Sequence, residues 1–175
     1  IKLNIEVNHS TLSGHNFEHE VGYAILNNAL GSIDINRGDT LLGWDTDQFP
    51  NNSLELIMSF YFIFANGGLN QGGLNFDAKI RRQSIDAEDL FYAHIGGMDT
   101  CAKTLLIVEK LINDDVIPQY IIERYKKWDD ELGKKIYSKN TDLDTLQDIV
   151  IKNNINPKPK SGQQEMLENI LNKYL

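Results

Sequence analysis

Asp45 and Asp47 stand one residue apart in Gly43-Trp44-Asp45-Thr46-Asp47-Gln48-Phe49-Pro50, between a tryptophan and a Phe-Pro stop. Strand alternation would put both carboxylates on one face and leave like charges adjacent. The pair is therefore expected in a loop wrapped around a divalent cation, not in a comfortable strand. Glu6 and His9 in Ile5-Glu6-Val7-Asn8-His9, Asp34 in Ser32-Ile33-Asp34, and Asp77 after Asn75-Phe76 supply further donors. Five carboxylates and one imidazole make an oxygen-rich set. Such sets suit Mg2+ or Mn2+, and the single imidazole shifts the preference toward Mn2+ or Co2+. Structural zinc is disfavoured, because the chain has one cysteine and hence no cysteine pair.

Each donor also has a plainer reading. Glu6 could pair with a lysine, His9 could be a loop histidine, and Asp34 could cap a helix. An EF-hand loop is excluded: counted from Asp45, the sixth position is Pro50 where glycine is needed and the twelfth is Leu56 where glutamate is needed. His15 and His19 lie four apart beside Glu18 and Glu20, but the His-Glu-x-x-His order is absent. They read as an exposed polar helix face. Trp44 and Phe49 could floor a sugar pocket or simply pack.

The elements that must position these groups follow from periodicity. Leu3 to Glu6 reads as a short buried strand, with Asn8-His9-Ser10-Thr11 as loop at its end. Phe17, Val21, Ala24, Ile25 and Ala29 step at helical spacing, and Gly31 is expected to break that helix before a strand over Ser32–Ile35. Asn36 to Asn52 reads as one long loop, and long loops tend to be functional. Asn52 or Ser53 is expected to cap a helix carrying Leu54, Ile57, Met58, Tyr61, Phe62 and Ala65, which Gly67-Gly68 ends. Gly72 to Phe76 gives a third strand with Asp77 at its exit. Strand, acid, loop, helix, repeated three times, is the grammar of a parallel α/β sheet or a (β/α)8 barrel, with active groups at the carboxyl ends of strands.

Beyond this, helices replace strands. Asp86 and Asp89 resemble a capping pair for a long helix over Ala87 to Asn113, within which Gly96-Gly97 marks close packing or a kink. Further helices are expected over Gln119–Lys127, over Asp142–Lys152 behind a Thr141 cap, and after a Ser161-x-x-Gln164 capping box. The expected division is 1–113, a partial barrel with the ligand motifs, and 114–175, a helical tail whose apolar stripes need a neighbouring subunit.

Composition is that of an ordinary globular chain, with 41% hydrophobic and 24% charged residues among 175. A net charge of -8 argues against nucleic acid, whose phosphates are neutralised by Lys and Arg, and is the sign that attracts cations. No apolar run approaches a membrane span, no signal peptide opens the chain, and the lone Cys101 on an apolar helix face fits a reducing compartment, so cytoplasm is the expectation. Ile1 begins inside a strand, from which a longer natural chain is expected.

Lys2-Leu3-Asn4-Ile5-Glu6-Val7-Asn8-His9, Gly31-Ser32-Ile33-Asp34, Leu42 to Pro50, Gly72 to Lys79 and Leu90-Phe91-Tyr92-Ala93-His94-Ile95 closely resemble xylose isomerase of the longer-chain bacterial class. The resemblance runs from Ile1 to Leu175. It implies a metal-dependent aldose-ketose isomerase interconverting D-xylose and D-xylulose, and D-glucose and D-fructose more weakly, by a hydride shift between C2 and C1. It implies two divalent cations per complete site (Mg2+, Mn2+ or Co2+), and a homo-oligomer, tetrameric at full length. By the same resemblance Glu6 bridges both metals, Asp34 and Asp77 hold the first, and His9, Asp45 and Asp47 hold the second. Asp47 also positions the metal-bound water that shuttles the proton.

The family's first five strands have no counterpart here, nor do the glutamate ligand, lysine and His-Asp pair that they carry. The expected fold is therefore the last three β/α units of a TIM barrel followed by an all-helical C-terminal tail. Three strands cannot close such a barrel, so the chain alone is expected to show negligible turnover without its N-terminal barrel half. The alternative is a metal-binding or oligomerising module that never turns over.

Overall fold

The computed structural model describes residues 1–80 and 83–175. It is a mixed α/β protein in which helices dominate. Two compact units divide it: residues 1–113 with Leu175, and residues 114–174.

In the first unit, β1 (Leu3–Glu6), β2 (Leu30–Asp34) and β5 (Leu74–Asn75) form a parallel sheet in the order β1-β2-β5. The register sets Glu6 opposite Asp34, and Asp34 opposite Asn75, so the acids leave the sheet in one row. Helix α2 (Phe17–Leu26) crosses from β1 to β2, and α3 (Ile57–Ala65) precedes β5. Helix α3 packs on both α2 and α4 (Ala87–Asn113). Val21, Ile33, Ile35, Phe60, Ile63, Val108 and Leu111 are fully or almost fully buried and form the core.

Several local expectations are corrected. Asn8 to Thr11 is not loop but part of a six-residue helix, α1 (Val7–Leu12), in which the Ser10 and Thr11 hydroxyls donate to carbonyls three and four residues back. Helix α2 ends at Leu26, with Asn28 left-handed at φ 51°, whereas Gly31 lies inside β2. A Cβ on Gly31 would stand 2.8 Å from the Leu3 carbonyl oxygen, so glycine there permits close β1–β2 pairing. The segment 36–52 contains a hairpin, β3 (Arg37–Asp39) antiparallel to β4 (Trp44–Gln48). Ser53 begins a turn rather than the helix, and Asn52 Oδ1 accepts from the Leu54 amide at 3.1 Å ahead of α3.

Helix α4 spans Ala87–Asn113, and the Asp86 amide donates to Asp89 Oδ2 at 3.0 Å, one half of a capping box. Gly97 is buried against Phe76 and Phe49.

The second unit comprises α5 (Val116–Tyr125), a 3-10 turn (Lys126–Asp129), α6 (Glu131–Tyr137), α7 (Leu143–Lys152) and α8 (Gln164–Asn172). Pro118 lies within the first turn of α5, where its missing N–H costs no helical bond. Helix α6 was not among the expected elements, and Gly133 sits in its middle. A Cβ there would come within 2.7 Å of Trp128 Cα, so glycine lets α6 pack on the preceding turn. Asp142, not Thr141, caps α7, accepting from the Thr145 amide at 2.7 Å. The Ser161 hydroxyl accepts from the Gln163 amide at 3.2 Å, so the Ser161–Gln164 box does not form. Among the described residues no helix is long and apolar enough to cross a membrane.

Candidate metal centre

Glu6 closes β1 and His9 lies one helical turn on in α1, so the strand-to-helix junction sets them side by side. His9 Nδ1 lies 3.1 Å from Glu6 Oε2, and His9 Nε2 lies 2.9 Å from Asp45 Oδ2. Glu6, His9 and Asp45 each offer a ligand atom within 4.8 Å of the others. Glu6, Asp34 and Asp77 form a second trio by the same measure. Glu6 is thus common to both groups.

Asp-x-Asp does lie in a strand, contrary to expectation, and the reason is local. Asp45 is stabilised by the Asn8 amide, which donates to Oδ1, and by the Asp47 backbone amide, which donates to the same oxygen at 3.2 Å. Asp47 takes φ 43°, and its Oδ2 accepts from Lys79 Nζ at 2.5 Å. The like charges are thereby separated, one toward His9 and the other toward a lysine. Asp47 is the one expected ligand outside both trios.

Asn36 is the organiser that sequence reasoning missed. It is almost wholly buried, its Nδ2 donates to Glu6 Oε1 at 2.6 Å and to the Asp77 carbonyl at 2.9 Å, and its Oδ1 accepts from the Asn8 backbone amide at 3.0 Å. One amide therefore ties three ligand-bearing segments together. Its only sequence signal is a polar residue two positions after Asp34, which is too common to single out. Asp34 is held by Asn4 Nδ2 at 2.5 Å and Asn75 Nδ2 at 3.2 Å.

Electrostatics agree with a cation site. Burial pushes the Glu6 carboxyl above its usual range, and Asp45 and Asp77 add repulsion, which outweighs the Asn36 hydrogen bond and His9. Burial also acts upward on Asp45, but hydrogen bonds from Asp47 and Asn8 hold it below the usual range. The donor set of carboxylates plus one imidazole fits a hard divalent ion.

A cleft of about 490 Å3 beside Asp45 is lined by Trp44, Thr46, Lys79 and Gln83. Phe49 does not line it. Its ring packs on Phe76 and His94, with centroids 5.6 and 4.7 Å apart.

A family model described as the XylA2 C-terminal domain matches residues 121–175. Over all 175 residues the chain is 53% identical to a xylose isomerase of Histophilus somni, 52% to one of Photobacterium profundum and 48% to one of Solibacter usitatus. In each case the match covers 100% of this chain and 40% of the relative, so the chain spans well under half the length of these proteins.

Proposed function

We propose that this chain, which matches the C-terminal part of xylose isomerases along its whole length, contributes most of the ligands of a two-cation centre to an aldose-ketose isomerase. The substrate is D-xylose, with D-glucose a weaker one. The observation that carries the reading is Glu6, whose carboxylate belongs to both ligand trios and so can serve two cations at once.

Asp34 and Asp77 would complete one cation position with Glu6, and His9, Asp45 and Asp47 the other. Mg2+, Mn2+ or Co2+ suits these donors and would supply Lewis-acid polarisation of a hydroxyl-carbonyl pair. The chain's own groups set the ligand carboxylates in place. Asn36 leaves Glu6 Oε2 free to face His9 by engaging Oε1. Asp47 Oδ2, which accepts from Lys79 Nζ, would be the carboxylate that positions the proton-carrying water. Trp44 provides an apolar wall for a sugar face in the cleft beside Asp45.

The parallel order β1-β2-β5, with acids at the strand ends, supports reading residues 1–113 as the last three β/α units of a (β/α)8 barrel. Closing a barrel needs more strands than the sheet provides, so turnover requires an N-terminal barrel half. Helices α7 and α8 bury none of their residues, which supports a role for 114–175 in subunit contacts of a homo-oligomer, a tetramer by the resemblance. Such an enzyme would work in the cytoplasm.

Two measurements test the reading. Calorimetric titration with Mn2+ should show binding that Glu6→Gln abolishes at both positions and Asp45→Asn at one; unchanged binding in Glu6→Gln would sink the centre. D-xylose isomerisation should be absent for this chain alone and appear when an N-terminal barrel half is supplied. Turnover by the chain alone would show that the further groups are not needed.

A further inference from the structure

We propose that His15, His19 and Glu20 form a separate surface site for an imidazole-binding cation of the Zn2+ class. The three side chains offer ligand atoms within 4.8 Å of one another and share no residue with either trio around Glu6. A single carboxylate oxygen organises them. Glu20 Oε1 accepts a hydrogen bond from His15 Nδ1 and stands 3.6 Å from His19 Nδ1. Tetrahedral Zn2+ with bonds of about 2.0–2.2 Å holds its ligand atoms roughly 3.4 Å apart, so small side-chain rotations would bring the trio onto one ion.

The backbone prepares this arrangement. His15 is not on the helix face that its spacing from His19 suggests. It lies on the turn before α2, and its amide donates to the Ser10 carbonyl at 3.1 Å. Gly14, at φ 80°, turns the chain so that His15 is directed back over the first turn of α2, which carries His19 and Glu20. The imidazole centroids are 5.0 Å apart with the rings tilted by 55°. The positive end of the α2 dipole would oppose a cation, but Glu18 and Glu20 in the first turn offset it.

Two nitrogens and one oxygen, with a fourth position open to water, favour Zn2+, Cu2+ or Ni2+ over Mg2+. The site is accessible: the His15 and His19 side chains are 52% and 62% exposed. It also has a position of consequence. His15 and Glu20 share a cleft of about 420 Å3 with Glu6 and His9. An ion there would clamp the start of α2 to the turn that follows α1, the helix carrying His9.

The test uses the full chain with Glu6→Gln and His9→Gln introduced, which silences the neighbouring centre and keeps the outcome independent of the isomerase reading. Calorimetry should show one equivalent of Zn2+ bound, no competition by Mg2+, and a rise in melting temperature on loading. Adding His15→Ala and His19→Ala should remove that equivalent while leaving the far-ultraviolet circular dichroism unchanged, since both side chains are exposed. Cu2+ as a probe should give an electron paramagnetic resonance spectrum with coupling to two imidazole nitrogens, lost in the same variant. Zn2+ binding that persists without the two histidines, or Cu2+ without nitrogen coupling, overturns the site.

Discussion

Asn36 Nδ2 sits 2.6 Å from Glu6 Oε1, a buried amide that holds in place the carboxylate common to both ligand trios. The same amide group bonds the Asp77 carbonyl and the Asn8 backbone, so the end of β1, the start of α1 and the segment after β5 meet at one side chain.

Replacing it with leucine removes all three bonds and leaves buried polar groups unpaired. Each such group costs about 1–3 kcal/mol, so Asn36→Leu should destabilise the chain by roughly 3 kcal/mol or more in urea unfolding. Mn2+ affinity should fall about 10- to 100-fold, the usual effect of losing a group that orients a ligand. Affinity equal to that of the parent chain would show that Asn36 is only a packing residue.

Gly96 and Gly97 are adjacent in α4 yet should respond in opposite ways. A Cβ at Gly96 meets nothing within 4 Å, so Gly96→Ala should stabilise by about 0.5–1 kcal/mol through lower backbone entropy in the unfolded chain. At Gly97 a Cβ stands 3.1 Å from the Phe76 ring and 3.4 Å from Phe49. Gly97→Val should therefore cost about 1–3 kcal/mol by overpacking. Thermal unfolding of the two variants decides it, and shifts of the same sign would refute the packing argument.

Lys79 pairs with Asp47 and is itself exposed, its ammonium pKa raised by the Asp47 hydrogen bond and charge. If Asp47 is a cation ligand, this lysine competes with the ion. Lys79→Met should then tighten Mn2+ binding, and the tightening should shrink as salt screens the competition. Weaker binding in the variant would mean that Lys79 supports the centre instead.

Burial pushes the Cys101 thiol up to about 11. The neutral form is thus favoured by the folded chain, and its contribution to stability is complete below the unfolded value near 9 and is lost as pH rises through 11. Alkylation by iodoacetamide at pH 8 should be slow in the native chain and fast in urea. A native rate that matches the urea rate at pH 8 would place this thiol at the surface.

Much of the site was legible because ligand chemistry is written in residue type. Glu6 and Asp34 fall at strand ends that hydrophobic runs mark clearly, and β1 and α4 span the expected residues. Less was legible where a single residue type has two uses. Gly31 reads as a helix stop but serves close strand pairing, and Gly133, a weak helix former, sits inside α6 and admits it against the turn before it. Six residues are too few for a helical period, so α1 had no signal; its bonds to the hairpin and to Asn36 are what hold it.

The kinds of donor, their order along the chain, the alternation of strands and helices to Asn113 and the helical character beyond it were determined by the sequence alone. All of these depend on side-chain chemistry and short-range periodicity. Only the tertiary structure decided that Asp45 and Asp47 part company, one toward His9 and the other toward Lys79. It also decided that Asn36 is the tie and that His15 meets Glu20. These depend on strand register, on one residue with positive φ and on turns that bring distant segments within hydrogen-bond reach, which residue spacing does not encode.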